Sequence, residues 1–345
     1  MQKYLKKLRL GELELTSNIL YAPLAGCSDF PFRKMSYQYQ PALTFCEMVK
    51  MDALVRHDPN TYRLLDFDKT MRPIGAQLCG SKPDIAKDAA KIIEDLGFDV
   101  VDLNCGCPVD KVTKDSSGSG MLRSLSLIEK VLTSIISAVK IPVTIKIRAG
   151  WDEQSIVGPQ ITKMAEGLGA KMITVHGRTR EQAYKGPAKL EFIRSCKEAA
   201  VSIPVIGNGD VFCEQSAIRM FETTGCDGVL VARGTLGSPW VAEDIHRSLL
   251  GLEKIERSPL FIKQVLLEHI AHILTYQNPR RALTDLRRIS CWYLKNAKGT
   301  RALREKINKS QAIEEILLHI ETYSWKDIDF KQEELKNEVS CSLCD

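Results

Sequence analysis

Eight short apolar runs fix the frame of this chain: Ile19–Ala22, Thr44–Met48, Ile74–Leu78, Asp99–Leu103, Val143–Ile147, Met172–Val175, Pro204–Ile206 and Gly228–Val231. They are continuous rather than alternating. A strand with one face in water alternates apolar and polar residues, so continuous runs predict strands covered on both faces, as in a parallel sheet wrapped by helices. Most are separated by stretches of helical period: Pro83–Leu96, Leu125–Val139, Gln160–Leu168, Ala188–Ala199 and Glu214–Thr223. In the first of these, Ser81 followed by Asp84 reads as an N-terminal cap, Ile85, Ala89, Ile92 and Ile93 share one side, and Gly97 ends the helix. Strand and helix alternating eight times is the arithmetic of a (β/α)8 barrel, assigned to residues 1–248. A doubly wound open sheet competes, but its glycine-rich dinucleotide turn is missing: the first run is followed by Ala22-Pro23-Leu24-Ala25-Gly26.

From residue 249 to 345 the strand pattern gives way to helical period, which predicts a second, helical domain with a polar C-terminal tail. Asn278-Pro279 reads as a cap followed by proline in the first turn, opening a helix that runs to about Ala297. Leu283, Leu286, Ile289, Tyr293 and Ala297 fall on one stripe at about 100° per residue. Arg281, Arg288 and Lys295 recur every seven residues on the other side, with Trp292 beside them. Basic residues dominate from Arg280 to Lys309, without matching acids, which predicts a surface for phosphates and an unstacked base rather than a merely solvated face. The net charge of +5 alone names no partner. Eleven cysteines without regular spacing suit a reducing cytosol better than a disulfide framework, and Cys341-x-x-Cys344 is too little for a metal centre, so none is expected. No apolar run reaches the roughly 20 residues that span a membrane, and the basic N-terminus lacks the apolar core of a signal peptide.

In a barrel the C-terminal strand ends converge on one mouth, so the residues there are read together. The fourth run ends in Asn104, Cys105, Gly106, Cys107 and Pro108, where Gly106 frees the backbone and Pro108 forbids a further strand bond. The other ends supply Gln77, Lys146 and Arg148, then His176, Arg178 and Arg180, then Asn208, Gly209 and Asp210, then Ala232, Arg233 and Gly234. Glycine-rich turns after the last two strands are where barrels bind phosphate, and Arg233 adds a fork of donors. A phosphate-bearing cofactor seated there directs its ring towards Lys146, Gln77 and Cys107, and a lysine beside a ring that becomes anionic on reduction suits a flavin.

Several separate motifs, in order over residues 15–245, resemble the tRNA-dihydrouridine synthase family: Ala22-Pro-Leu-Ala-Gly26 with Asp29 and Pro31-Phe-Arg33, Asp102-Leu-Asn-Cys-Gly-Cys-Pro108, Lys146-Ile-Arg148, Val175-His-Gly-Arg-Thr-Arg180, Ile206-Gly-Asn-Gly-Asp210 and Ala232-Arg-Gly234. The likeness continues more weakly through Trp292-Tyr-Leu-Lys295 and Leu303–Asn308. Leu24 stands where the family usually has Met, and Ala232 where Gly is frequent. The resemblance implies a cytoplasmic, monomeric flavoprotein that uses FMN and NADPH to reduce the C5=C6 bond of particular tRNA uridines. It implies FMN contacts at Pro23, Leu24, Ala25, Gln77, Lys146, His176, Asn208, Gly209, Asp210, Ala232 and Arg233, and Cys107 as the proton donor. A thiol with a pKa of about 8.5 is mostly protonated at pH 7, so it can serve as that acid. Cys105 is the rival thiol. The RNA is assigned to Asn104, Lys111, Arg178, Arg180, Arg281, Arg288 and Lys295, with Lys114 and Arg123 extending the basic track. The alternatives are a flavin-dependent barrel dehydrogenase acting on a small pyrimidine-like molecule, which needs no basic helical domain, and an RNA-binding module without catalysis, which needs no Cys107, Lys146 or His176.

Overall fold

The computed structural model describes residues 2–295 and 297–328; Cys341 and Cys344 lie outside the described residues. The apolar runs become eight strands: β1 Ile19–Tyr21, β2 Leu43–Phe45, β3 Ile74–Cys79, β4 Val100–Cys105, β5 Val143–Arg148, β6 Met172–His176, β7 Val205–Asn208 and β8 Gly228–Val231. All pair in parallel with their sequence neighbours, and β8 returns to β1, so the sheet closes into a (β/α)8 barrel. One run was extended too far: the expected Thr44–Met48 strand stops at Phe45, and a two-residue strand, Val49–Lys50, pairs separately with the end of β3. Cys46, Glu47 and Met48 lie between them, and the Glu47 carboxylate turns out of the sheet to accept from Gly26 N.

Strand parity sorts the side chains. Val101, Leu103 and Cys105 of β4 and Ile145 and Ile147 of β5 point outward into the helix-covered core. The same shell holds Ile93 of the helix Pro83–Asp95 and Ile128 and Leu132 of Leu125–Ala138. That first helix starts without the expected Ser81 cap: the flanking residue is Lys82, Pro83 leads the helix, and the Ser81 hydroxyl instead donates to Asp115 O at 2.7 Å. Inside the barrel, Leu20, Leu43, Phe45, Met172, Ile206 and Leu230 form a second packed cluster. Leu8, Leu10 and Leu15 join it from an antiparallel hairpin, Leu8–Leu10 with Leu13–Leu15, that precedes β1. The barrel interior is therefore apolar at its N-terminal end and polar only at the other.

After the helix Val241–Leu250, which packs with the barrel shell, come Pro259–Tyr276, Pro279–Leu294, Arg301–Lys309 and Ile313–Thr322. They share their own core around Leu266, Ile270, Leu286, Ile289 and Ile316, into which the helix Phe30–Tyr37 after β1 inserts Phe32 and Met35. The Asn278 side chain caps the second of these helices, accepting from Arg281 N at 3.0 Å. That helix ends at Leu294, short of the expected Ala297, because Thr300 folds back and its hydroxyl reaches the carbonyls of Leu294 and Ala297, each at 2.9 Å.

Candidate active site

The polar mouth is built by the inward parity of β3, β4 and β5. Gln77, Asp102, Asn104, Thr144, Lys146 and Arg148 occupy it because residues two apart on a strand face the same side. Asn104 accepts through Oδ1 from Gly106 N and Cys107 N, at 3.0 and 2.9 Å, and donates through Nδ2 to Gln77 Oε1 at 2.7 Å. Gln77 Nε2 donates to Asp102 Oδ2 at 2.7 Å, and the Thr144 hydroxyl donates to Asp102 Oδ1 at 2.6 Å. Burial lifts the Asp102 carboxyl to about 6, against the pull of these two donors and of Lys146.

Cys107 is half-buried in the loop beyond β4. Burial raises its thiol above the usual value, with Val109 N, Arg148 and Lys146 acting in the opposite sense. It is therefore a protonated thiol at neutral pH. Its carbonyl accepts from Ser119 N and from the Ser119 hydroxyl, and Gly118 lies so close that a Cβ would come within 2.9 Å of Cys107 O. The backbone freedom expected at Gly106 is found instead at Gly118, whose φ is +56°. Cys105 points away from the mouth, fully buried, with Sγ 3.7 Å from Met121 Sδ.

Lys146 reaches the mouth from β5 with no hydrogen-bond or ion-pair partner among the described residues. Burial chiefly, and Arg148 next, bring its pKa down to about 8, while Asp102 holds it up. Arg148 is buried and holds the backbone on two sides: Nε donates to Gly106 O, and Nη1 to the carbonyls of Thr179 and Ala183, all at 2.8 Å. His176 is neutral, its pKa driven well below the usual value by burial and then by the surrounding arginines and Lys146. Arg178 is also buried; it grips the Asp210 carboxylate at 2.9 and 2.8 Å and lies 3.4 Å from His176 Nε2. Gly209, at φ +118°, presses on the His176 ring so closely that a Cβ would meet it at 3.0 Å. Arg233 touches Asp210 through one nitrogen at 3.3 Å and stands by the rings of Tyr184 and Phe212. Asn208 Nδ2 donates to Leu230 O, and Ala232 follows at the end of β8. Pro23, Leu24 and Ala25 form the rim after β1, where the Ser28 hydroxyl accepts from Leu24 N.

The barrel and the helical domain meet at this rim. Arg288 donates to Gly26 O and, at 2.9 Å, to Asp285 Oδ1; Arg281 takes Asp285 Oδ2 at 3.1 Å. Two expectations are corrected here. The basic helix does have an acid partner, because Asp285 is fully buried beneath both arginines. Trp292 is no exposed stacking surface: it is 6% exposed, part of the helical core, with Arg288 stacked on it at 5.1 Å. Arg281 stays half exposed, whereas Arg288 is 18% exposed. Nearer the thiol, Lys111, Lys114 and Arg123 are exposed; Arg180 pairs with Asp110, and Arg123 and Arg180 both lie over the Trp151 ring, at 4.3 and 4.7 Å.

A family model described as dihydrouridine synthase (Dus) matches residues 20–328. The chain belongs to the dihydrouridine synthase family. It is 37% identical over 305 residues to a probable tRNA-dihydrouridine synthase of Rickettsia bellii, an alignment spanning 87% of this chain and 93% of that protein. It is 34% identical to the tRNA-dihydrouridine synthase B of Pseudomonas aeruginosa, over 88% of this chain and 91% of the relative. Among solved structures, a morphinone reductase variant in complex with tetrahydroNAD superposes with a TM-score of 0.53 at 12% identity, covering 74% of this chain and 93% of that one, a likeness of fold.

Within this dihydrouridine synthase chain, sequence reasoning singled out the strand-end residues but not those that hold them. Asp102 and Thr144 were passed over, and Arg148 was noted without a role. The signal was available: polar residues two apart, Asp102 and Asn104 on β4 and Thr144, Lys146 and Arg148 on β5, in runs otherwise apolar, mark an inward polar row.

Proposed function

We propose that this chain reduces uridine in tRNA to 5,6-dihydrouridine, using FMN and NADPH. The observation that carries the reading is the juxtaposition, at one barrel mouth, of the half-buried Cys107 thiol and a lysine that has no partner among the described residues. The Lys146 ammonium is half-buried at the mouth and meets no protein acceptor among the described residues, so it is open to an anionic or polar ligand, and the donor set fits a flavin phosphate and ring. Lys146 and Gln77 would hold the ring, Arg233 with Gly209 the phosphate, and Pro23, Leu24, Ala25, His176, Asn208, Asp210 and Ala232 the remainder. When bound, FMN supplies the means of passing hydride from NADPH to C6 of uracil.

The protein supplies the rest. Hydride arriving at C6 leaves an electron pair at C5 conjugated with the C4 carbonyl. The Cys107 S–H bond breaks, its proton joins C5, and the sulfur keeps the electron pair until solvent reprotonates it. The neighbouring positive charges of Lys146 and Arg148 stabilise that transient thiolate. Neutral His176 gives and takes hydrogen bonds without adding charge. Exposed Lys111 and half-exposed Arg281, with Arg180 and Lys295, offer cations for RNA phosphates, while Arg178 and Arg288 are engaged chiefly in holding Asp210 and Asp285.

The test is direct. Purified protein should be yellow and, with NADPH, should add dihydrouridine to tRNA isolated from cells lacking this protein, read by nucleoside mass spectrometry. A colourless preparation, or one that reduces free pyrimidines faster than tRNA, would favour the other readings.

A further inference from the structure

The hydrogen bonds from the Cys107 loop into the barrel form a chain whose direction is determined at both ends. At the loop end, Gly106 N–H and Cys107 N–H can only donate, so Asn104 must present its oxygen to them. Its Nδ2 then faces Gln77, which must offer Oε1 and so turns Nε2 inward. At the inner end an ionised Asp102 can only accept, so it requires that same orientation of Gln77. The Thr144 hydroxyl completes the carboxylate from the other side. A carboxamide flipped by 180° has nearly the same shape, and only its partners decide its direction. Here two carboxamides in series are read consistently from a backbone at one end and a carboxylate at the other.

We propose that Asp102 is a positioning residue: acting through Gln77 and Asn104, it fixes the orientation of the loop that carries Cys107. Asp102 does not touch that loop itself. Its catalytic consequence rests on the reading of Cys107 given above; the positioning does not.

A reversal of the chain tests it. In Asp102→Asn, the new amide still accepts from Gln77 through its oxygen and donates to Thr144, so the direction of the chain is kept, while Lys146 loses the charge that holds its pKa up. In Asn104→Asp, both ends become carboxylates and Gln77 must turn its oxygen towards one of them. In the double variant the whole chain runs backwards, losing only the Asn104 Nδ2 contact to Met48 Sδ at 3.2 Å: position 104 accepts from both loop amides and from Gln77 Nε2, and the amide at 102 donates to Gln77 Oε1 and accepts from Thr144. Total charge equals that of the parent.

The holoproteins would be compared by thermal midpoint, by alkylation of Cys107 with iodoacetamide mapped by peptide mass, and by single-turnover flavin reoxidation with tRNA. In alkylation rate Asp102→Asn should stay within about threefold of the parent, and in reoxidation Asn104→Asp should lose about tenfold or more, since an unmet buried polar group costs far more than an exchanged one. The Asn104→Asp defect should deepen as pH rises, because the conflict is relieved only when the carboxyl facing Gln77 Oε1 is protonated and donates to it. Lys146 on β5 and Cys105 on β4 are the titratable neighbours of Asp102 and are unchanged throughout. Adding Asp102→Asn to Asn104→Asp should restore the alkylation rate, the melting midpoint and reoxidation, and remove the new pH dependence. If Asn104→Asp does not fold, recovery of a folded protein in the double variant is the same rescue. A double variant no better than Asn104→Asp overturns the proposal. If the parent itself is not reoxidised by tRNA, the functional reading fails, while alkylation and melting still decide the positioning.

Discussion

Cys107 and Cys105 are two residues apart yet chemically separate. One stands at the mouth, and the other packs behind β4 against Met121. On the proposed reading, Cys107→Ala should still be reduced by NADPH at a near-parental rate, but its reoxidation by tRNA should slow by ~10²–10⁴, the usual contribution of a positioned acid. Cys105→Ala should cost only the packing of one small side chain. Stopped-flow reoxidation of both variants checks this, and a larger defect in Cys105→Ala would reverse the assignment. Lys146 adds a pH prediction. Because its pKa is brought down to about 8, an anionic ligand meets a protonated lysine below that pH and must recruit a proton above it. FMN affinity should therefore be flat below about pH 8 and weaken above it by at most about tenfold per pH unit, a slope that Lys146→Met should abolish. Titration of the apoprotein across pH 6–10 measures it.

The helix Pro279–Leu294 shows what an element's sequence reveals and what it conceals. Its cap, its start and its apolar stripe were legible, because they depend on residues within one or two turns. The partners of its arginines were not: Asp285 lies on the same helix, but its burial is imposed by the fold, and Gly26 comes from the far end of the chain. The same holds at the site. The strand ends could be read from apolar runs, whereas the contact of Gln77 with Asp102 joins two strands by a register that no local pattern encodes. Removing the buried carboxylate with Asp285→Ala leaves Arg288 only Gly26 O as a hydrogen-bond partner and, because both arginines keep access to water, should cost about 1–3 kcal/mol. Urea denaturation checks that value. Arg281→Glu together with Lys111→Glu should instead weaken tRNA binding and flatten its dependence on salt, with FMN content unchanged. Equal binding at moderate salt would leave both cations without a part in holding RNA.

At the scale of the whole molecule, the proposed site lies within a barrel mouth rather than on an open face. A uridine must leave its stack to enter, at a cost of a few kcal/mol that is least for unpaired nucleotides. Uridines in tRNA loops should thus be reduced well and those in a stable duplex poorly, a contrast that matched loop and duplex RNAs would expose. The opposite end of the barrel is filled by Leu8, Leu10 and Leu15 of the hairpin, packed on Phe45, Met172 and Leu230. That plug has a kinetic corollary. On the proposed reading, with the floor closed, NADPH and the RNA base approach one flavin through one doorway and must take turns there. Turnover should follow a ping-pong pattern, with parallel lines in double-reciprocal plots and excess tRNA slowing flavin reduction in competition with NADPH.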